Sequence, residues 1–248
     1  MPSVTDRQER VPFFDQSALS CARGVMIGAG GIGSEICEGL VRKGVGSLIV
    51  LDDDVVDPSN LNRQFFFKRD LFKPKAHRLV RNLACHGSCG TQLKGYALSF
   101  QDALALSIDL TADFLVCGVD NNPTRIDVCR YCLEARIPVV FIAVDYEAEN
   151  GYVFVQEPGS ACFACAFPKS LQGHKAPCRT PAVKDILKVV AGIALYAIDS
   201  LLMGRKRGWN YRNIHLAGFA PSNVLPIERR PDCPVCGLRH NAGPIKEK

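Results

Sequence analysis

Unbroken apolar runs closed by glycine or acid alternate, through the first 150 residues, with stretches in which apolar side chains return every three or four positions. Gly24 to Ile27 is one such run. It ends in Gly28-Ala-Gly30-Gly31-Ile-Gly33, after which Ile36, Leu40 and Val41 recur at helical spacing until Gly44. This order predicts a strand, a tight glycine turn and a helix. Ser47 to Leu51 reads as a second buried strand, closed by Asp52, Asp53 and Asp54, which completes a βαβ unit. Two further runs, Asp113 to Val119 and Pro138 to Val144, flank a helical stretch from Pro123 to Ala135. Its leading proline suits a first helical turn, where the missing amide would have no partner anyway. Strands alternating with helices predict a doubly wound, Rossmann-like, mainly parallel sheet covered on both faces.

The pattern changes at Asn150. Tyr152 to Val155 predicts an antiparallel strand, followed by a crossover rich in glycine and proline at about 166–181 and a long helix from about Ala182 to Met203. His215 to Pro226 adds a last strand or two. The organisation expected is an arm at 1–20, a single domain at 21–237 with halves at 21–149 and 150–237, and a polar tail at 238–248.

Composition narrows the class without naming a function. A chain of 248 residues with 47% hydrophobic and 22% charged side chains can bury a sizeable core. The net charge of +5 is modest, and the basic residues are spread out apart from Arg205-Lys206-Arg207 and Arg229-Arg230, so nothing demands nucleic acid. Val189 to Met203, the longest apolar stretch, is interrupted by Gly192 and Asp199 and is too short to span a bilayer. Twelve cysteines, with no secretory pattern near Met1, predict thiols kept reduced in a cytoplasm.

Four of those cysteines form two CxxC pairs, Cys162/Cys165 and Cys233/Cys236. Each pair sets two thiolates on one turn, and two turns close a tetrahedral cage around zinc. With all four ligands from protein no position is left for a catalytic water, so the zinc is expected to be structural. Cys85 and Cys89, with His77 and His86 nearby, have the residue types of a second metal site but a weak context.

The glycine turn by itself is a weak signal. Gly28, Gly30, Gly31 and Gly33 let backbone N–H groups and a helix N-terminus meet phosphate, and Asp52 stands where it would accept from a ribose hydroxyl, which fits a nicotinamide or flavin enzyme. The segment after Asp52 departs from that pattern. In place of a second crossover helix the chain runs through Ser59-Asn60-Leu61-Asn62-Arg63-Gln64, then Lys73-Pro74-Lys75, and later Asp120-Asn121. Cations near the glycine loop and an aspartate ending a neighbouring strand suit a triphosphate and its magnesium better than a redox cofactor.

At these residues the chain resembles the ThiF/MoeB/HesA family of adenylating enzymes for ubiquitin-like and sulfur-carrier proteins, in the order of its motifs over roughly residues 20 to 237. The resemblance implies that Gly31 lies against the phosphates, Asp52 holds the ribose, Asn60 and Arg63 contact phosphates, Lys75 neutralises the α-phosphate and Asp120 binds magnesium, with Asn121 beside it. It implies attack by a carrier's C-terminal glycine carboxylate on the α-phosphorus of ATP, a carrier-binding role for 150–237, and a homodimer. Cys178 matches the spacing of the family's reactive cysteine. Flanked by Lys175 and Arg179, it would take the acyl group as a thioester and pass it to a conjugating enzyme. The alternative is adenylation of a sulfur carrier for thiamine, molybdenum cofactor or tRNA thiolation. Readings of another class are a nicotinamide-dependent oxidoreductase and a non-catalytic scaffold subunit. Arg7 or Arg10, in the arm, would reach the partner subunit's ATP.

Overall fold

A computed structural model of the chain describes residues 3–86, 89–172 and 181–237. In chain order the elements are α1 (Asp6–Glu9), α2 (Gln16–Cys21), β1 (Arg23–Ile27), α3 (Gly31–Lys43), β2 (Ser47–Leu51), α4 (Lys75–Ala84), β3 (Gln92–Tyr96) and α5 (Phe100–Ala105). They continue with β4 (Phe114–Cys117), α6 (Asn122–Ala135), β5 (Val139–Val144), β6 (Asn150–Gln156), α7 (Phe163–Ala166), α8 (Lys184–Leu202), β7 (Tyr211–His215) and β8 (Val224–Leu225). One sheet of eight strands carries them, in the order β3-β2-β1-β4-β5-β6-β7-β8. Pairing is parallel from β3 to β5 and antiparallel from β5 to β8. This is the doubly wound sheet with an antiparallel extension that the apolar runs predict.

Both faces are covered, which is why β1 and β4 are apolar almost throughout rather than alternating. On one face α2, α3 and α8 pack through Ile36, Leu40, Val190 and Ala194; on the other, Phe100, Val128, Phe141 and Phe163 form the second core layer. Two glycines let α3 and α8 approach closely. A Cβ on Gly31 would stand 2.6 Å from Leu187 Cδ1, and one on Gly39 2.5 Å from Leu195 Cδ1. Glycines and leucines share the same spacing, eight residues, so each leucine fills the groove its glycine leaves.

The structure departs from the sequence expectation in three places. A crossover helix does follow Asp52: it is α4, delayed by the loop from Asp57 to Pro74, and it leads into β3 at the sheet edge. The last strands begin earlier than His215, with Tyr211–His215 and Val224–Leu225. The arm packs on its own chain: Gln8 Nε2 donates to Lys43 O at 2.7 Å, Leu19 is fully buried, and α2 crosses residue 20. The tail at 238–248 lies outside the described residues, as does Cys178 in the crossover.

Candidate functional site

The chain passes from β1 to β2 on one side of the sheet and reaches β4 on the other, so the space beyond the carboxyl ends of β1 and β4 is a topological switch point, where such sheets bind ligands. A cleft of about 1520 Å³ opens there. Its walls include Gly28, Gly30, Gly31, Asp52, Asn60, Arg63, Lys75, Asp120 and Asn121, so the expected nucleotide residues other than Gly33 and Arg10 converge on one space.

Each glycine of the turn has its own physical reason. Gly28 has φ of +94°, and a Cβ there would meet the backbone of Gly118 at 3.1 Å, so the turns after β1 and β4 approach this closely because Gly28 has no side chain. A Cβ on Gly33 would fall 2.0 Å from Gly28 O, which no adjustment of a flexible side chain can relieve. Beyond Gly30, the N-cap of α3, there is open space. The missing side chain of Gly31 instead faces Leu187, a packing role that joins the phosphate contact expected of it. The N-terminus of α3 thus presents backbone amides to the cleft, a setting that favours an anion.

Asp52 closes β2 beside this turn. Its Oδ2 accepts from Ala29 N–H at 2.6 Å and its Oδ1 from Asp54 N–H at 2.9 Å, so the carboxylate braces the glycine turn while lining the cleft. Burial pushes its carboxyl up to about 6, only partly offset by the charge of Lys75 and the two amide donors. Lys75 is no solvated surface charge: it is 7% exposed, and its Nζ lies 2.8 Å from Asp54 Oδ2. An anion entering here finds a lysine already desolvated.

The loop between Asp57 and Pro74 carries Asn60 and Arg63. Asn60 Oδ1 accepts Asp57 N–H at 3.0 Å and so caps the short turn Pro58–Asn60, which leaves its amide N–H groups as what it can offer a phosphate. Arg63 Nη1 donates to Ser59 O at 2.5 Å and Asn62 Oδ1 at 3.0 Å. Asp120 is exposed at the cleft. Asn121 Oδ1 accepts Thr124 N–H at 2.9 Å, capping α6. Arg10 lies off the cleft of its own chain and pairs with Asp6 at 2.7 Å. Arg7 likewise does not line it.

Three positioning residues escaped the sequence reading. Asp70, fully buried, accepts from Arg78 Nε at 2.6 Å, Asn82 Nδ2 at 2.7 Å and Phe67 N–H at 2.9 Å, pinning the loop to α4. Burial alone would raise its carboxyl, but the donors of Asn82, Phe67 and Arg78 together hold it below the usual range. Ser34, also fully buried, donates to Gly31 O and accepts Phe65 N–H, both at 3.2 Å, tying the same loop to the start of α3. Asp54 holds Lys75. None of the three carries a sequence signal, since each acts through contacts that only the fold creates.

Behind the sheet the four cysteines of the CxxC pairs meet, all buried, with sulfurs within 4.8 Å of one another. Cys162 stands 3.7 Å from Cys165 and 3.6 Å from Cys233, and Cys165 3.4 Å from Cys236. A tetrahedral zinc with Zn–S bonds of about 2.3 Å sets sulfurs about 3.8 Å apart, so these thiols fit that ion. Burial pushes the thiols of Cys165 and Cys236 up, so four thiolates there call for a cation. Gln156 braces the cage by donating to Cys129 O at 3.1 Å and accepting Phe163 N–H at 2.9 Å. Among the described residues no other cluster of this kind exists, so His77, His86, Cys85 and Cys89 do not assemble one.

Fold and cleft thus define a Rossmann-like protein with an anion-receptive pocket at the switch point and a thiol cage behind it. The chain belongs to the ThiF family, whose model matches residues 5–235. It is 32% identical to the SAMP-activating enzyme E1 of Haloferax volcanii over 232 residues, covering 90% of this chain and 83% of that one. With the sulfur carrier protein adenylyltransferase of Thermus thermophilus it shares 31% identity, covering 90% and 84%. Its fold superposes on a crystal structure of Escherichia coli MccB with ATP at a TM-score of 0.75 and 24% identity, over 90% of this chain and 68% of that one. No helix among the described residues is long and apolar enough to cross a membrane.

Proposed function

We propose that this chain uses ATP to adenylate the C-terminal glycine carboxylate of a small sulfur-carrier or ubiquitin-like protein. The observation that carries the reading is the convergence of the glycine turn, Asp52, Arg63, Lys75 and Asp120 on one cleft. Asp52 accepts from the ribose; Lys75, Arg63 and the α3 amides neutralise phosphate oxygens as charge builds on them. Asp120 holds magnesium, which supplies further charge neutralisation at the phosphates when bound. Little covalent work falls to the protein, and alignment with electrostatic stabilisation accounts for the rate.

The extent of the cleft supports a polypeptide as the second substrate. Beyond the nucleotide end it continues past Val144 and Asp145 to Asn150 on β6 and Asn213 on β7. From β1 to β6 is three strand spacings, about 14 Å, the length of roughly four extended residues. A flexible tail entering from the antiparallel side can bring its terminal carboxylate to the α-phosphate.

The name of one relative, a sulfur carrier protein adenylyltransferase, favours sulfur-carrier adenylation over the conjugating route that the spacing of Cys178 suggests. In the finer reading the Cys178 thiolate attacks the acyl-adenylate carbonyl, forming a thioester as the acyl–phosphate bond breaks and AMP leaves, in a homodimer whose Arg10 serves the partner's ATP. The zinc is a structural clasp. Carrier-dependent exchange of pyrophosphate into ATP tests the first step: it should appear with a carrier ending in glycine and fall away in Asp120→Ala. A thiol-sensitive adduct absent from Cys178→Ala tests the second.

A further inference from the structure

A second pocket, of about 400 Å³, lies behind the end of α8 and is lined by Ser200, Gly204, Arg205, Lys206, Arg207 and Glu157. It is remote from the cleft. Gln156, the last residue of β6, pairs with Val139 at the start of β5, whereas Asn150 begins β6 at the cleft. The seven residues of β6 therefore separate the two sites, about 20 Å at 3.3 Å per residue.

The charge here is unbalanced and partly desolvated. Arg207, whose side chain is 4% exposed, pairs with Glu157 and donates to Ala197 O at 3.2 Å, yet its Nε has no partner in the interior. Arg205 is stacked 3.6 Å over Phe13 and lies 5.6 Å from the Tyr196 ring, and its Nη1 is likewise buried without a partner. Asp199, the remaining carboxylate nearby, pairs with Lys43 and also lies within the field of Arg205. Three cations and one carboxylate thus line the pocket, and two guanidinium nitrogens are buried without a hydrogen-bond partner. A solvated basic surface would leave those nitrogens in water. Burying a charged donor without a partner is costly, and an anionic acceptor would relieve that cost.

We propose that this pocket is an oxyanion site that takes a phosphate group, held by Arg205, Lys206 and Arg207. Guanidinium forks match phosphate oxygens in pairs, and Lys206 adds a point charge. The occupant would also staple the N-terminal segment, because Phe13 rests on Arg205 and Asp15 N–H meets Met203 Sδ at 3.5 Å. The inference is independent of the adenylation reading.

Titration of the full chain with inorganic phosphate, followed by calorimetry, tests it in an Arg63→Ala background that weakens anion binding in the cleft. Saturable binding is expected, about tenfold weaker once Arg205→Gln and Lys206→Ala are added, as loss of a charged hydrogen bond implies. Arg207→Met should abolish it, and the Arg205/Lys206 pair keeps the test sound should that variant not fold. ATP use by Arg205→Gln/Lys206→Ala in the otherwise native chain should be unchanged. Absence of saturable binding, binding indifferent to these substitutions, or an equal effect of chloride at matched ionic strength would each overturn the site and assign the buried donors to water alone.

Discussion

Replacing Asp70 by asparagine removes the charge at the centre of the network that fixes the loop of Asn60 and Arg63. In the native chain one carboxylate, with no exposed surface, satisfies the forked contact of Arg78, the amide of Asn82 and the N–H of Phe67. Asparagine keeps one acceptor oxygen and sets an amide N–H₂ against a remaining donor. Arg78, itself only 9% exposed, is left charged without a counterion. Breaking a buried pair from one side costs about 3–5 kcal/mol. At about 2–4 °C per kcal/mol for a chain of this size, that is roughly a 10 °C fall in melting temperature. Urea unfolding followed by the fluorescence of Trp209, the single tryptophan, gives the free energy directly. Adding Arg78→Met should return part of the loss, because the double variant buries no unpaired charge. A cost below about 1 kcal/mol, or single-variant costs that simply add, would refute the reasoning.

Three further outcomes rest on the same geometry. Gly33→Ala drives a Cβ against Gly28 O, 2.0 Å away, and should cost about 3 kcal/mol or more with a raised KM for ATP, as melting and steady-state kinetics will register. Cys236→Ser, or prolonged chelation of the native protein, should release one zinc per chain by metal analysis and lower the melting temperature by roughly 10 °C for a loss on the order of 3 kcal/mol. Asp52 and Asp70 respond to pH in opposite senses. Asp70 lies below its unfolded value, so its stabilising contribution is complete above the ordinary carboxylate range and fades as pH falls beneath it. Asp52 lies above its unfolded value, so its contribution is present in acid and is lost as pH rises through about 6. Since the ionised carboxylate is the better ribose acceptor, KM for ATP should rise as pH falls through about 6, and Asp52→Asn should flatten that part of the profile while leaving ATP's own titration in place.

The elements visible in the sequence are those whose pattern is local. β1, the glycine turn, α3 and β2 follow from an apolar run, a steric break and a 3.6-residue period; α6 and α8 are long enough for that period to dominate. Helix α4 carries the same period in Ala76, Leu79, Val80, Leu83 and Ala84, a signal the sequence reading passed over, while the burial of Arg78 and Asn82, polar by type, depends on partners elsewhere in the fold. β3 reads Gln-Leu-Lys-Gly-Tyr, a half-exposed edge strand without an apolar run. β7 likewise mixes Arg212 and Asn213 with Ile214. Within the site, the residues with a motif line the cleft, and the ones that position them carry no motif. Asp70 meets Arg78 across a loop, and Ser34 meets Phe65 across 31 residues. The double role of Gly31 depends on Leu187, in a helix that the chain reaches only after six of its eight strands. Such pairings exist only once the sheet has formed.

Exchange of labelled pyrophosphate into ATP, measured with and without a small carrier ending in a free glycine carboxylate, bears on the proposed chemistry without intermediaries. Exchange should require the carrier, stop when its terminal carboxylate is amidated, and fall about 10²–10³-fold in Arg63→Ala, the usual loss for one donor that stabilises transition-state charge. Exchange that is absent with every carrier tried, that proceeds with the amidated tail, or that survives Arg63→Ala undiminished would contradict an adenylating cleft built on these residues.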